Sequence, residues 1–120
     1  MGAPELNEVS LGSMLHDIIE EAESRSISID HIQKIVAEHF DIRLADMTSP
    51  RRPKSIAEPR QIAMYLARQL TKNSLVDIGD AFGGRDHGTI IHACKQVVKR
   101  LSSEDFRRTV NTLSEKINRH

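Results

Sequence analysis

Cysteine is almost absent from this chain of 120 residues, with Cys94 standing alone. One thiol excludes an intrachain disulfide framework and a multi-cysteine zinc site. Aromatics are scarce too: three Phe, one Tyr and no Trp. That argues against a single-strand nucleic-acid binder, whose bases stack on aromatic platforms. No stretch approaches 18 consecutive apolar residues, so no membrane span is expected. The first residues lack a basic segment followed by an apolar one, so no secretory signal is expected. A reducing, cytoplasmic setting is the corresponding expectation. Missing as well is a Gly-x-x-x-x-Gly-Lys-Ser/Thr phosphate loop. No nucleophile–base pair or cluster of metal ligands stands out, so the chain reads as a non-enzyme, without catalytic or metal-binding residues.

An excess of base is also lacking. Seventeen Lys and Arg face seventeen Asp and Glu, a formal net charge of zero. Nucleic-acid-binding domains usually carry a basic excess, so the sum points away from that class. The distribution reverses the inference. Residues 1–26 hold six acids and one base, a net of −5. Residues 48–100 hold ten bases and four acids, a net of +6. Asymmetry of this kind hints at a polyanionic partner.

Apolar spacing is helical almost throughout. Leu11, Met14, Leu15, Ile18 and Ile19 mark an acidic first helix over residues 5–24. Arg25-Ser26-Ile27 reads as a junction, which divides the chain into a linker (1–26) and a domain (27–120). Ser28 is expected to cap a helix running to about Phe40, with a further short turn at Leu44–Met47. Thr48–Lys54 (TSPRRPK) is a basic loop broken by two prolines. A long helix follows to about Thr71, with Ser55-x-x-Glu58 as a capping box and Pro59 in the first turn. Its expected buried stripe is Ile62, Ala63, Leu66, Ala67 and Leu70, with Arg60, Gln61, Met64 and Arg68 towards the other side. The last helix is expected to start at Ser102 and to bury Phe106, Val110, Leu113 and Ile117.

The informative stretch is Ser74–Leu101. A short helix opened by Ser74-x-x-Asp77 ends at Gly83-Gly84, and Asp86 caps a longer one. That is the outline of a helix-turn-helix. At 100° per residue, Ile90, Cys94, Val97, Val98 and Leu101 share one arc of the second helix and are expected to face the core. Gly88, His92, Lys95, Gln96 and Lys99 lie on the opposite face, and Arg85, Asp86, His87 and Thr89 gather at the N-terminal tip. Recognition helices present their N-terminal residues to base edges. His, Asp and Thr can donate or accept there. The outline alone is shared by trihelical interaction modules, whose charges are merely solvated.

The run Ile78-Gly79-Asp80-Ala81-Phe82-Gly83-Gly84-Arg85-Asp86-His87-Gly88-Thr89-Ile90-Ile91-His92-Ala93 resembles the C-terminal signature of the bacterial chromosomal replication initiators, the DnaA family. Pro59-Arg60-Gln61-Ile62-Ala63-Met64-Tyr65-Leu66-Ala67 and Ile29-Asp30-His31-Ile32-Gln33-Lys34-Ile35-Val36-Ala37 resemble the same domain. The likeness runs in unbroken order over roughly residues 27–115. Residues 5–26 resemble, more weakly, the end of the family's ATPase lid and its linking helix.

The resemblance implies an all-α, Trp-repressor-like helical bundle preceded by an acidic linker helix. It implies sequence-specific binding of double-stranded DNA, as a monomer, at origin boxes of the type TTATNCACA. Minor-groove reading falls on Arg52, with Arg51 and Lys54 beside it. This fits the attraction of arginine to narrow A·T minor grooves. Major-groove reading falls on Asp86, His87, Gly88 and Thr89, with apolar contacts from Leu75 and Val76. Phosphate contacts fall on Arg60, Gln61, Arg68, Arg85, Thr89 and His92, and Lys95 joins them on the exposed face. No cofactor is implied on this chain, because ATP and Mg belong to the family's ATPase module. Regulators of the initiator are a further class of partner.

Three positions depart from the family pattern. Position 88 is usually Ser or Thr, whose methyl can pack on thymine, and here it is Gly88. Gln96 stands where a base is usual, and Glu58 replaces a frequently basic residue beside the loop. Two rival functions stay open on the sequence: a stand-alone helix-turn-helix transcriptional regulator, and a helical protein-interaction module.

Overall fold

The computed structural model of the chain describes residues 27–50 and 53–119. The acidic helix expected over 5–24 therefore lies outside the described residues, as do Arg51 and Arg52. Helix α1 spans Ile29–Phe40. The Ser28 hydroxyl caps it by accepting from the His31 amide at 3.0 Å. It stops at Asp41, whose φ of 55° is left-handed, a conformation that a short polar side chain tolerates. A single 3₁₀ turn, Leu44–Met47, follows as expected. It buries Met47 and also Asp46, which accepts from the Arg43 amide at 3.0 Å.

Helix α2, Lys54–Leu70, is the central strut. It begins one residue before the expected cap. The carbonyl of Pro53 accepts from the Ile56 and Ala57 amides, both at 3.0 Å, so Ser55 lies inside the helix and the Ser55–Glu58 box does not form. Pro53 suits this place because its fixed φ (−64°) leads into the first turn. Glu58 instead pairs with Arg100 at 2.6 Å. Pro59 stands in the second turn rather than the first, so the helix gives up one interior hydrogen bond there. Ile62, Ala63, Leu66 and Ala67 are buried as expected, and Leu70 is part-buried. Arg60 and Met64, expected towards the other side, are buried too, at 4% and 3% exposure. The reason is tertiary: α1 packs on one flank of α2 and the helix at Asp86 on another, so its buried arc is wider than one stripe.

Helix α3, Leu75–Ala81, is capped by the Ser74 hydroxyl, which accepts from the Asp77 amide at 3.1 Å. The carbonyl of Gly79 then accepts from both Gly84 and Arg85 at 3.0 Å, which closes the turn. A side chain at Gly79 would place Cβ 2.0 Å from the Arg85 carbonyl oxygen, so only glycine permits this closure. The buried amide of Gln33 on α1 donates to the Ala81 carbonyl at 2.9 Å, satisfying an end group of α3.

Helix α4, His87–Arg100, buries Ile90, Ala93, Cys94 and Val97. Leu101 is part-buried, but Val98 is 55% exposed, contrary to the arc expected for it. α4 packs on α2 and α3, and Val98 lies beyond the edge of that contact. Helix α5, Glu104–Asn118, is capped by Ser103 and not by Ser102. Ser102 instead donates to the Lys99 carbonyl, which ties it to the end of α4. Phe106, Val110, Leu113 and Ile117 are buried as expected, where α5 packs on α1. The described residues form an all-helical bundle without strands, with α3 and α4 as its helix-turn-helix.

Candidate nucleic-acid interface

The interface begins at the N-terminus of α4, where the first amides have no partner within the helix. Asp86 takes up one of them. Its carboxylate accepts from the Thr89 amide at 2.9 Å and from the Thr89 hydroxyl at 3.0 Å. The Thr89 amide above all, and then its hydroxyl, hold the Asp86 carboxyl below its ordinary pKa. Asp86 is thus an ionised acceptor at neutral pH, and Thr89, whose hydroxyl donates to it, is exposed. His87, the first residue of α4, is exposed beside it. Gly88 is exposed, and a Cβ there would meet only Asp86 Oδ1, at 3.5 Å. A larger residue would fit.

Asp86, Thr89, Gly88 and His92 form one wall of a groove of about 560 Å3. The other wall comes from Arg60 and Gln61 of α2, with Arg85 at the end and Met64 and Ala93 within. The structure therefore brings together Arg60, Gln61, Arg85, Asp86, Gly88, Thr89 and His92. Leu75 and Val76 sit at the start of α3, the first part-buried and the second 60% exposed. Lys54 is exposed at the head of α2. Arg68 and Lys95 are exposed but stand elsewhere, at a second cleft of about 540 Å3 with Tyr65, Gln69, Ile91, Cys94, Val98 and Lys99. Burial raises the Cys94 thiol pKa, and neighbouring Arg68 offsets part of that rise. Cys94 thus behaves as a core residue.

Two of the expected phosphate contacts turn inward. Arg60 donates through Nη1 to the carbonyls of Asp46 (3.2 Å) and Ser49 (2.5 Å). Arg85 donates through Nη2 to the same Ser49 carbonyl at 2.7 Å, and through Nη1 to the Phe82 carbonyl. At 4% exposure Arg60 directs Nη1 into the fold, although expected towards the other side of the helix. The gap in that expectation is Ser49, which nothing in its residue type or spacing marks as a meeting point. No group of three or more His, Cys, Asp or Glu among the described residues could hold a metal ion.

Known proteins match this arrangement. A family model described as the bacterial dnaA protein helix-turn-helix matches residues 29–97, which include α1 to α3 and most of α4. The chain is 50% identical over 96 residues to the chromosomal replication initiator protein DnaA of Psychromonas ingrahamii. That match covers 76% of this chain and 21% of the relative. A crystal structure of a DNA replication initiation factor superposes with a TM-score of 0.67 at 29% identity, covering 94% of this chain and 37% of that one. The chain thus spans only about a fifth of the curated relative's length. With most of its helix-turn-helix inside the matched span, this chain belongs to the bacterial DnaA helix-turn-helix family.

Proposed function

We infer that this chain binds double-stranded DNA sequence-specifically, at origin boxes of the TTATNCACA type, in the initiation and regulation of chromosomal replication. The observation that carries this reading is the polar groove in which the tip of α4, the turn and the first half of α2 converge. The tip of α4 enters the major groove, where His87, Asp86 and Thr89 meet base edges. An ionised Asp86 suits the amino group of cytosine. Gln61, His92 and Lys54 hold register on phosphates, with Arg68 and Lys95 further along α2 and α4. Phosphate contacts position and base contacts specify. The basic loop, through Arg52 with Arg51 beside it, enters the adjacent minor groove.

The role is binding, by a monomer, without a cofactor of its own. ATP and Mg belong to the ATPase module of the longer family members. The setting is the cytoplasm, on the nucleoid. Among the described residues no helix is long and apolar enough to cross a membrane. Residues 1–26 act as an acidic linker, and residues 27–120 as the binding domain.

Titration against an origin-box duplex and a scrambled duplex, at two salt concentrations, tests the reading. The box is expected to bind more tightly. The affinity should fall by roughly 0.9 log units per log unit of salt for each phosphate neutralised. Equal affinity for both duplexes would overturn sequence-specific reading. An absence of salt-dependent duplex binding would favour the protein-interaction module.

A further inference from the structure

The basic loop and the recognition helix are joined by more than chain connectivity. Arg60 comes from α2, Arg85 from the turn before α4, and both donate to one acceptor, the Ser49 carbonyl, at 2.5 and 2.7 Å. Each guanidinium has a second anchor. Arg60 also holds the Asp46 carbonyl, at the 3₁₀ turn that precedes the loop. Arg85 also holds the Phe82 carbonyl, at the end of α3. The neighbouring loop residue is closely approached by the turn. Gly83, with a φ of +84°, lies so close to Thr48 that an added Cβ would fall 2.4 Å from the Thr48 carbonyl oxygen. Ser49, two residues before Arg51, is thus held by both guanidiniums, and Thr48 lies against Gly83.

We propose that Arg60 and Arg85 are positioning residues: together they clamp the Ser49 carbonyl and set the direction in which the basic loop leaves the domain relative to α4. The proposal rests on the DNA-binding reading for its consequence, since the loop and α4 are the two elements that read DNA. Thr48 and Ser49, if free to swing, would lose conformational freedom when DNA binds, and held by these contacts they have already lost it. The clamp therefore lets minor-groove and major-groove contacts form together. It needs arginine and not merely positive charge. A guanidinium presents several donors in a rigid plane, whereas an ammonium is a single point on a flexible stem. It also separates these two residues from Gln61, His92 and Arg68, because the guanidinium N–H groups directed at carbonyls are not available to phosphate oxygens.

Arg85→Lys and Arg60→Lys, made in the whole chain, keep the charge and lose the fork. Circular dichroism checks that each variant is folded. The expected result is about tenfold weaker binding to the box, the equivalent of one to two lost hydrogen bonds. Discrimination should collapse at the A·T-rich end of the box and persist at the bases under α4. The salt slope should match that of wild type. A uniform loss across all duplexes, scrambled sequence included, would make these residues phosphate anchors and overturn the clamp. Wild-type affinity and discrimination in both variants would overturn it as well.

A second measurement needs neither variants nor DNA. In the wild-type chain the guanidinium protons of Arg60 and Arg85 should give resolved, slowly exchanging NMR signals. Fast-exchanging, averaged signals would overturn the clamp. If wild type failed to distinguish the box from a scrambled duplex, the DNA reading would fall, and the NMR result would still decide the clamp.

Discussion

The groove at the tip of α4 and the cleft further along the same helix are bounded by the same two helices and are nearly equal in volume, about 560 and 540 Å3. Their chemistry differs because of how helices begin and continue. The groove sits where α4 starts, so unpaired amides, a capping carboxylate and a closing turn gather polar groups there. The cleft sits along the later turns, away from those unpaired amides. Only side chains vary there, and Ile91, Cys94 and Val98 face it across Tyr65, with Arg68, Lys95 and Lys99 at the rim. Volume does not tell the two apart. The position of the helix terminus does, and it is the groove that can read hydrogen-bond donors and acceptors.

The harshest way to break this contrast is from beneath. Phe82 is fully buried and closes the core under the turn. Phe82→Ala is expected to destabilise the domain by about 3–5 kcal/mol, read as a lower denaturant midpoint. Both regions should be lost together. His87→Ala tests the groove alone. It should cost about 1–3 kcal/mol at particular bases and leave thermal stability nearly unchanged. A uniform loss on box and random DNA would contradict the assignment. Arg68→Ala tests the cleft's rim. It should weaken every duplex alike and reduce the salt slope by about 1, with base discrimination intact.

Gly88→Thr sharpens the contrast within the groove. The space there is open, so the domain should gain about a few tenths of a kcal/mol at most from better helix propensity. Discrimination should increase at one base position, where the new methyl meets a thymine. Unchanged discrimination across all single-base variants would show that position 88 reads nothing. The smallest effect is a dependence on pH. Hydrogen bonds from Thr89 depress the folded-state pKa of Asp86 below its ordinary value of 3.8. Its contribution is therefore fully present above that value and is lost as pH falls through the lower folded one. Thermal melts should show wild type losing an acid-range advantage that Asp86→Asn never had. Identical profiles of the two proteins below about pH 4 would argue that the cap carries no linkage.

Much of the architecture was legible because it is local. Ser28, Ser74 and Asp86 cap their helices as their spacing predicts, since a hydroxyl or carboxylate reaches the amide three residues on wherever the chain turns into a helix. The core face of α5 follows from its period. The misjudged positions depend on neighbours. Ser102 and Ser103 are equivalent as residues, and the way α4 ends, with Ser102 tied back to Lys99, left the cap to the second. Ser55 lost its cap to the geometry of Pro53. Val98 and Met64 exchanged their expected places because the edge of a helix contact is set by the partner helix.

The sequence by itself determined the helical periods, the three well-capped starts, the glycine turn and the placing of His87, Asp86 and Thr89 at a helix N-terminus. It also showed that a net charge of zero conceals an acidic segment and a basic one. Only the tertiary structure decided which arginines face outward. Arg68 extends to the surface, whereas Arg60 and Arg85 turn in to the Ser49 carbonyl. A long guanidinium side chain can serve solvent, phosphate or backbone equally well, and the choice rests on which acceptors the fold brings within its reach.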